Sequence, residues 1–509
     1  MRRFAFPLFL LLAHAPVASV LADVEPGRAV YDRWCARCHG AKGDGNGPAA
    51  PFLMPKPRDF TLGVYKYKST EGASPPSDGD IARIIAEGMP GTAMPGWKDV
   101  LGEADRRQLV ALIKKFSDIF EFEKPGQAIP LAGQPPASPP AVSAGREVYR
   151  KAKCFECHGD TGKGNLSKKL KDDWGEPVWP RNLTKPWAFR GGNDVKDIYT
   201  RITVGIPGVP MPVFGDASKP DALSADERWL AAHYVVSLAD PARRPSSGAN
   251  AIKGVYHAGG IAAEPSAPAW RDAPAVSFRL APQIIAADRL FAPVVDQVTV
   301  RALYDEKEVA LLVEWDDPTP SRPGDKAQAA LAPGEMFEDA VAVQFPAAPS
   351  EGIAKPYFGH GDAANPVNVW YWRAGRADAE AAYALFDMKG AGSRAQRDPA
   401  PLGFSARGEY TDGTWRVVFR RARYGGDGDA PFAGGRPLPV AFANWDGSNG
   451  EKGSKHTLTR WVWLWLEPPP SLNIVYVPVA VVALLAGGLL GVSARMRRVA
   501  EPPGPEKET

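Results

Sequence analysis

Two five-residue stretches determine how the first half of this chain folds: Cys35-Ala36-Arg37-Cys38-His39 and Cys154-Phe155-Glu156-Cys157-His158. In such a C-x-x-C-H motif, two thiols bond to the vinyl groups of one haem and the following His binds its iron. The two motifs use all four Cys of the chain. A zinc site or disulfides are the alternatives, but neither requires a His directly after each Cys pair. The motifs therefore predict two covalent c-type haems, with His39 and His158 as iron ligands.

The sequence around the two motifs is duplicated. A G-R-x-V-Y segment precedes each motif, at residues 27–31 in the first copy and at 145–149 in the second. Further along, each copy has a P-R-x-x-T segment and a longer segment that ends in Met-Pro, at 57–61 and 88–95 in the first copy and at 180–184 and 205–212 in the second. The duplication predicts two copies of one domain, each closed by an amphipathic helix.

The duplication also selects the sixth ligand of each iron. A Met thioether commonly completes the coordination of a haem iron that already carries a His. The first copy offers Met89 and Met94, whereas the aligned positions of the second hold Ile206 and Met211. Ile cannot bind iron, and the separations from the motif His to Met94 and Met211 agree, at 55 and 53 residues. We therefore expect Met94 and Met211 to be the sixth ligands.

The arrangement resembles class I cytochrome c domains, a helical fold, present twice in tandem. The Pro-rich stretch between the copies predicts an extended spacer. The expected boundaries are cytochrome domain 1 at 23–124, the Pro-rich linker at 125–142, cytochrome domain 2 at 143–245 and a second linker at 246–269.

Both ends of the chain carry apolar stretches. Arg2 and Arg3 precede a short apolar run, which predicts a signal peptide at 1–22 that is removed on export. Near the other end, 474–492 is almost wholly apolar and long enough to cross a membrane. Arg495, Arg497 and Arg498 follow it, and such basic residues flank the cytoplasmic side.

We therefore expect a single-pass protein of the bacterial inner membrane whose bulk faces the periplasm. The anchor and its basic flank would occupy 471–498, and the cytoplasmic tail 499–509. The formal net charge of only +3 argues against a nucleic-acid partner. The sequence offers no nucleophile–base pair, phosphate-binding glycine loop or open metal site, which predicts an electron-transfer protein and not an enzyme.

The pattern of residue types changes at about residue 269, where alternating apolar and aromatic runs begin. Residues 298–304 and 309–315 flank a polar turn and predict a hairpin. Further strands are predicted at 340–345, 367–372, 414–419, 440–445 and 460–466. Many short strands with turn-rich spacers favour a β-sandwich, here at 270–468. The expected fold is therefore multidomain: two all-α cytochrome c domains, an all-β sandwich and one C-terminal transmembrane helix.

Three segments of this region carry a family resemblance: 337–345 (FEDAVAVQF), 365–373 (NPVNVWYWR) and 443–451 (ANWDGSNGE). They resemble the haem-b-binding γ subunit of ethylbenzene dehydrogenase and the γ subunits of dimethyl sulfide dehydrogenase, chlorate reductase and selenate reductase. The resemblance implies a β-sandwich that holds one non-covalent b haem between a Met and a Lys. It also implies electron exchange with the iron–sulfur subunit of a molybdenum enzyme.

The axial positions depart from the pattern of that family. His360, in the segment 357–361 (YFGHG), stands where the resemblance implies a Met. The segment 451–456 (EKGSKH) offers Lys455 and His456, and the alignment puts His456 at the position of the family's Lys. Imidazole is a good iron ligand, so a bis-His b haem is the preferred interpretation. Met336 and Lys455 as ligands, or no haem at all, remain the alternatives.

The expected function is that of a membrane-anchored periplasmic cytochrome, an electron-transfer subunit between the respiratory chain and a periplasmic, molybdenum-containing oxidoreductase. Its expected partners are other subunits of that redox complex and soluble or membrane electron carriers. One alternative is a dihaem cytochrome c with a carbohydrate-binding-like sandwich, and another is a cytochrome subunit of a different periplasmic dehydrogenase. A haem site requires His360 and His456 to converge, whereas a sugar site requires an exposed Trp platform.

Overall fold

The computed structural model describes residues 25–165, 168–246, 248–348, 355–468 and 473–500. The expected signal peptide and the tail from residue 501 lie outside the described residues. The chain divides into two compact units by its internal contacts. Unit 1 consists of Met1–Val148, Asp172–Trp174 and Trp187–Val236, and unit 2 of Tyr149–Lys171, Gly175–Pro186 and Ser237–Thr509. The division runs through the second copy of the repeat.

The two repeat copies consist of helices joined by long loops. The helices are α1 (Arg28–Trp34), α2 (Ala36–His39), α3 (Asp78–Glu87), α4 (Glu103–Lys114), α5 (Ile119–Phe122), α6 (Pro139–Lys151), α7 (Phe155–His158), α8 (Val195–Val204) and α9 (Ala225–Ser237). Isolated β-bridges occur within the loops, for example between Thr70 and Ala128. Because α6 begins at Pro139, the second copy starts inside the segment expected as the Pro-rich linker, 125–142.

Glycine lets the first and last helices of each copy cross closely. A Cβ atom on Gly27, directly before α1, would lie 2.7 Å from the carbonyl oxygen of Gln108 in α4. A Cβ on Gly145, in α6, would lie even closer to the carbonyl oxygen of Leu230 in α9. Any larger residue would therefore push the two helices apart, which explains why both copies carry Gly in the G-R-x-V-Y segment.

The C-terminal half is built on one 14-stranded sheet. Its strands are β1 (Ala251–Tyr256), β2 (Val276–Arg279), β3 (Ala281–Pro282), β4 (Gln297–Tyr304), β5 (Glu308–Asp316), β6 (Ala340–Pro346), β7 (Val367–Arg373), β8 (Ala382–Met388), β9 (Ala395–Arg397), β10 (Ser405–Thr411), β11 (Thr414–Ala422), β12 (Pro437–Trp445), β13 (Thr457–Leu458) and β14 (Val462–Leu466). A short helix, α10 (Lys326–Leu331), lies between β5 and β6.

The sheet folds over along β12, which is shared by its two halves. Residues 437–440 of β12 pair with β14 and belong to the half ordered β10-β11-β5-β4-β1-β14. Residues 441–445 pair with β6 and belong to the half ordered β12-β6-β7-β8-β9. Both halves contribute to one apolar core, for example Trp315 and Trp415 from the first and Trp370 and Trp372 from the second. A large β-sheet therefore follows the cytochrome region, as expected.

The predicted hairpin is confirmed, because β4 pairs with β5 in antiparallel fashion. The expectation of a linker at 246–269 is wrong in part, because this segment contains β1, which pairs in parallel with both β4 and β14. Gly254 occupies a buried position of β1, where a Cβ would collide with the side chain of Leu466. A buried Gly removes the alternation of apolar and polar residues from which a strand is predicted.

The last described element is α11 (Asn473–Ala500), which includes the predicted anchor. Its segment Tyr476–Met496 has a mean hydropathy of 2.2 over the most apolar window, and none of that window is buried in the protein. Within the described ranges it is the one helix long and apolar enough to cross a membrane. Pro478 lies in the second turn of α11, close to the end where a missing N–H disturbs a helix least.

Candidate haem sites

The two motif histidines are held in the same way. Nδ1 of His39 lies 3.0 Å from the carbonyl oxygen of Arg58, and Nδ1 of His158 lies 2.9 Å from that of Arg181. Burial lowers the pKa of both imidazoles, which favours the neutral form in which Nδ1–H donates to the carbonyl. The second nitrogen, Nε2, is then available to a metal, as in most metal-binding histidines.

The loop after each motif also repeats. The Tyr31 hydroxyl donates to the carbonyl of Gly40 over 2.9 Å, and the Tyr149 hydroxyl donates to that of Gly159 over 2.7 Å. These contacts link the helix before each motif to the Gly directly after the motif His. Both copies therefore build the same frame around the Cys pair.

The donor atoms at the motifs fit covalent haem better than zinc. None of the four Cys forms a disulfide among the described residues, and all four are half-buried. Burial raises the pKa of Cys35 to about 11 and that of Cys154 to about 12. Among the described residues, no cluster of three metal-binding side chains includes a Cys.

A buried polar group beside the first motif also fits a haem. The imidazole of His39 stacks on the ring of Phe60 at 4.6 Å, and Phe60 in turn stacks on Tyr65. The Tyr65 hydroxyl is buried and has no hydrogen-bond partner in the part of the chain that the structure describes. Such a donor suits a haem propionate.

The loops that carry the two methionines have the same backbone contact. The amide of Met89 donates to the carbonyl of Met94 over 3.0 Å, and the amide of Ile206 donates to that of Met211 over 3.3 Å. Met89 and Ile206 are thus equivalent in space as well as in sequence, which supports the pairing of Met94 with Met211. Both of these Met residues are half-buried.

In unit 1 the loop of Met94 lies beside the first motif. The ring of Trp97, three residues after Met94, lies 5.2 Å from that of Trp34, which directly precedes Cys35. The tight turn before the loop requires Gly88, because a Cβ there would lie 2.7 Å from the carbonyl oxygen of Met94. In the second copy, Met211 belongs to unit 1, whereas residues 154–158 belong to unit 2.

Packing within unit 1, and not only the linker, joins the two repeat copies. The guanidinium of Arg58 lies 4.9 Å from the ring centre of Trp174. Lys66 forms a 3.4 Å ion pair with Asp172, and Arg201 donates to the carbonyl of Lys68 over 2.8 Å. Arg58 is also the residue whose carbonyl accepts from His39. The contact between Arg58 and Trp174 therefore lies next to the proposed iron ligand of the first site.

In unit 2, the segment that holds His158 is fixed to the sheet through Asp316. Asn182, next to Arg181, donates to Asp316 over 3.1 Å, and Lys185 and Arg243 each form a 2.9 Å ion pair with it. Burial alone would raise the pKa of Asp316, but Lys185 and Arg243 outweigh burial and hold it well below its usual value. The second attachment segment is thus held at the end of β5.

The third candidate site lies on one face of the sheet half formed by β6, β7, β8 and β12. Four buried side chains form its floor: Ala342, Val367, Val369 and Met388. Aromatic side chains are packed against them: Tyr371, Phe386, Trp445 and Trp461. We call this set the apolar face. Such a surface suits a flat, mostly apolar ligand.

His360 stands in the segment that covers this face. Its Nδ1 lies 3.3 Å from Oε1 of Gln344 in β6, and the same Gln344 side chain donates to the carbonyl of Phe358 over 3.1 Å. His360 has a φ of 76°, a conformation that non-glycine residues seldom adopt. Burial lowers the pKa of its imidazole. The side chain is therefore held as a neutral ring at the edge of the apolar face.

His456 approaches the same face from the segment before β13. Its ring lies 4.7 Å from that of Trp445, and its Nδ1 lies 3.1 Å from the carbonyl of Gly453. Burial, with a smaller contribution from the charge of His360, lowers its pKa to about 4. His360, beside Gln344 of β6, and His456, beside Trp445 of β12, thus both lie next to the apolar face.

The alternate ligands are placed differently. The backbone of Lys455 folds onto Lys452, and the charge of Lys455 acts on Glu451, whose pKa burial raises to about 9. Met336 is half-buried in the segment before β6 and does not belong to the apolar face.

Four supporting residues were not predicted from the sequence. The carbonyls of Arg58 and Arg181 lie in the repeated P-R-x-x-T segment, so the duplication itself was the available signal. Gln344 lies within 337–345, one of the segments that carry the family resemblance. Asp316 had no such signal, because its partners are distant in the sequence.

Two protein families match the chain. The family described as "Ethylbenzene dehydrogenase" matches residues 267–399. The family described as "Cytochrome C oxidase, cbb3-type, subunit III" matches twice, at 22–113 and 140–235. The N-terminal matches contain both C-x-x-C-H motifs, and the C-terminal match contains His360.

Individual relatives agree with these matches. The chlorate reductase subunit gamma of Ideonella dechloratans is 30% identical over 208 residues, 40% of this chain and 80% of the relative. The cbb3-type cytochrome c oxidase subunit CcoP of Rhodobacter capsulatus is 30% identical over 244 residues, 45% of this chain and 68% of the relative.

One solved structure, a reducing HAO-like protein complex of Kuenenia stuttgartiensis, is 39% identical and covers 42% of this chain and 96% of that chain, with a TM-score of 0.40. The matched families and relatives cover the cytochrome region and the sheet domain separately. The chain belongs to the family of haem γ subunits related to ethylbenzene dehydrogenase, and c-type cytochrome domains of the cbb3 subunit III family precede its γ-like domain.

Proposed function

We propose that this chain is a membrane-anchored periplasmic electron-transfer subunit that carries two c haems and one b haem. The observation that carries the proposal is the position of His360 beside Gln344 and of His456 beside Trp445, both next to the apolar face, in a chain that also holds two cytochrome attachment motifs. Bound haem iron supplies a one-electron redox centre at each site. The chain contributes the ligands and the apolar surroundings.

The proposed ligand sets argue for electron transfer and against catalysis. His39 with Met94, His158 with Met211, and His360 with His456 would each leave no coordination position for a substrate. A catalytic haem needs such a position. The chain would therefore exchange electrons with a separate enzyme subunit.

The proposed partner is a periplasmic oxidoreductase of the molybdenum type. One relative is named as a subunit of chlorate reductase and another as a subunit of a cytochrome oxidase, so both are parts of respiratory complexes. Exchange with an iron–sulfur subunit is what the γ-subunit resemblance implies. The membrane side of the relay would be another subunit or a mobile carrier, since the apolar helix has no His with which to ligate a haem.

The orientation follows from the charges beside α11. Its apolar segment ends at Arg495, Arg497 and Arg498, and residues of this kind stay in the cytoplasm. Both cytochrome copies and the sheet would then face the periplasm of a bacterial inner membrane.

Carbon monoxide tests the absence of an open iron site. It binds ferrous haem that has a free or weakly held position. We expect the dithionite-reduced protein to show no stoichiometric change in its Soret band when carbon monoxide is added at neutral pH. A change equivalent to one haem per chain would show that one iron is open, and the chain would then be a catalytic cytochrome.

A further inference from the structure

Three carboxylates meet in the interior of the sheet domain. Asp317 follows β5, Asp339 precedes β6 and Asp446 follows β12. One oxygen atom from each lies within 4.8 Å of those from the other two. All three residues are at most 1% exposed. None of the proposed haem sites uses them.

Most of these oxygen atoms already accept hydrogen bonds. Oδ2 of Asp339 accepts from the amide of Ser321 at 2.6 Å and from the indole of Trp415 at 2.9 Å. Asp317 accepts from the indole of Trp315 and the amide of Thr319. These donors orient the carboxylates but carry no full positive charge.

Asp446 is different, because one of its oxygen atoms lacks a partner. Its Oδ1 accepts from Ser448 and Asn449, in the turn that follows β12. Its Oδ2 is buried and has no hydrogen-bond partner among the residues that the structure describes. A fully buried, unpartnered carboxylate oxygen is costly unless something absent from the protein atoms satisfies it.

The cluster also lacks a counter-charge. Across the described ranges, no salt bridge with Lys or Arg reaches any of the three carboxylates. Burial raises the pKa of all three, and the charge of Asp446 raises that of Asp317 and Asp339 further. Three carboxylates this close repel one another unless they are protonated or share a cation.

We propose that Asp317, Asp339 and Asp446 bind one calcium ion inside the sheet domain. Carboxylate oxygens are the ligands that Ca²⁺ prefers, at about 2.3–2.6 Å, so two opposite ligands lie up to about 5 Å apart. The three oxygen atoms lie within 4.8 Å of one another, which is inside that limit. Mg²⁺ usually keeps several waters and is bound by one or two carboxylates, so a fully buried cluster of three carboxylates suits it less well.

The position of the ion gives it a structural role. It would join the end of β5, the start of β6 and the end of β12, which are distant in the sequence. Two of these strands carry the apolar face: β6 provides Gln344, which holds His360, and β12 ends with Trp445, against which His456 packs. The ion would therefore stabilise the strands that support the two proposed b-haem ligands.

Metal analysis and thermal unfolding of the intact, detergent-solubilised protein test the proposal. After dialysis in chelator-free buffer, we expect one calcium per chain in addition to iron. Treatment with EGTA should lower the unfolding midpoint of the sheet domain. Adding calcium chloride to about a hundred times the dissociation constant should raise the midpoint again by about 5–10 °C. Calcium-free protein whose midpoint is the same with EGTA and with calcium chloride would overturn the proposal.

Matched variants locate the site. Asp446→Asn keeps the shape of the turn but removes the charge, and we expect it to abolish both the bound calcium and the calcium-dependent midpoint shift. Asp398→Asn is the control, because Asp398 also accepts a hydrogen bond from a backbone amide two residues later but is exposed. Full calcium binding by a folded Asp446→Asn protein would overturn the assignment. If that variant fails to fold, calcium analysis of the unmodified protein decides alone.

Discussion

At the scale of single residues, the duplicated sequence narrows the choice of proposed iron ligands more than either copy does alone. Met89 and Met94 are both half-buried in one loop, so neither residue type nor burial decides which of them is the ligand. The aligned Ile206 excludes the first position, and the shared backbone hydrogen bond shows that the two loops are equivalent. The choice of Met94 over Met89 is therefore open to a direct test.

Replacing the methionines should affect one spectroscopic band. Six-coordinate His–Met haem has a weak near-infrared charge-transfer band from the sulfur to the ferric iron. We expect Met94→Leu and Met211→Leu each to remove about half of this band, and Met89→Leu to leave it unchanged, as measured by absorption of the oxidised protein. Loss of the band in Met89→Leu with retention in Met94→Leu would show that the loops are misaligned.

The b-haem ligands can be tested by haem extraction. A haem held only by axial bonds and apolar contacts can be extracted with acidified solvent, whereas thioether-linked haem cannot. We expect His360→Ala and His456→Ala each to abolish the extractable haem and to leave the covalent haem unchanged. Lys455→Ala is the matched control, since the charge of Lys455 acts on Glu451. Loss of haem in Lys455→Ala, with retention in His456→Ala, would restore the Lys ligand that the resemblance implies.

At the scale of elements, the contact of the second attachment segment with β5 depends on one buried carboxylate. We expect Asp316→Asn to lower the free energy of unfolding by about 3–5 kcal/mol, because it leaves Lys185 and Arg243 without their counter-charge. Asp412→Asn, at a more exposed contact of the same unit, should cost less than about 0.5 kcal/mol. Urea unfolding followed by Trp fluorescence measures both, and equal costs would contradict the anchoring role.

The Asp316 contribution should also depend on pH. Folding lowers the pKa of this carboxyl, so its stabilising effect is complete above the pKa of the unfolded chain, about 3.9, and declines as the pH falls below that value. The difference in the free energy of unfolding between the unmodified protein and Asp316→Asn should thus shrink as the pH falls below about 4. A difference that grew on acidification would refute the assigned ion pairs.

The sequence predicted some elements well and others not at all, for physical reasons. Strands β4, β5, β6, β7, β11, β12 and β14 follow from runs of apolar and aromatic residues. Strand β1 was missed because Gly254 replaces a buried side chain, and β8 and β10 are flanked or interrupted by polar residues such as Asp387 and Glu409. The carboxylate cluster could not be predicted from the sequence, because Asp317, Asp339 and Asp446 meet only through the pairing of distant strands.

At the scale of the whole molecule, the chain combines several domains with one apolar helix. Each of these domains can be assigned from local motifs. We expect a chain that ends at Pro470 to be soluble in the periplasmic fraction, with its haem spectrum unchanged, because α11 contributes no described contact to the haem sites. Cell fractionation and difference spectroscopy measure this. Recovery of the shortened chain in washed membranes that lack any partner subunit would contradict anchoring by α11 alone.

The count of haems in the intact chain tests the central claim most directly. The pyridine haemochrome spectrum distinguishes c haem, whose vinyl groups are saturated by thioether bonds, from b haem, whose vinyl groups are intact. The purified, full-length protein should contain two c haems and one b haem per chain, with only the b haem extracted by acidified solvent. Two c haems with no b haem would contradict the account, because the apolar face with His360 and His456 would then serve some other ligand.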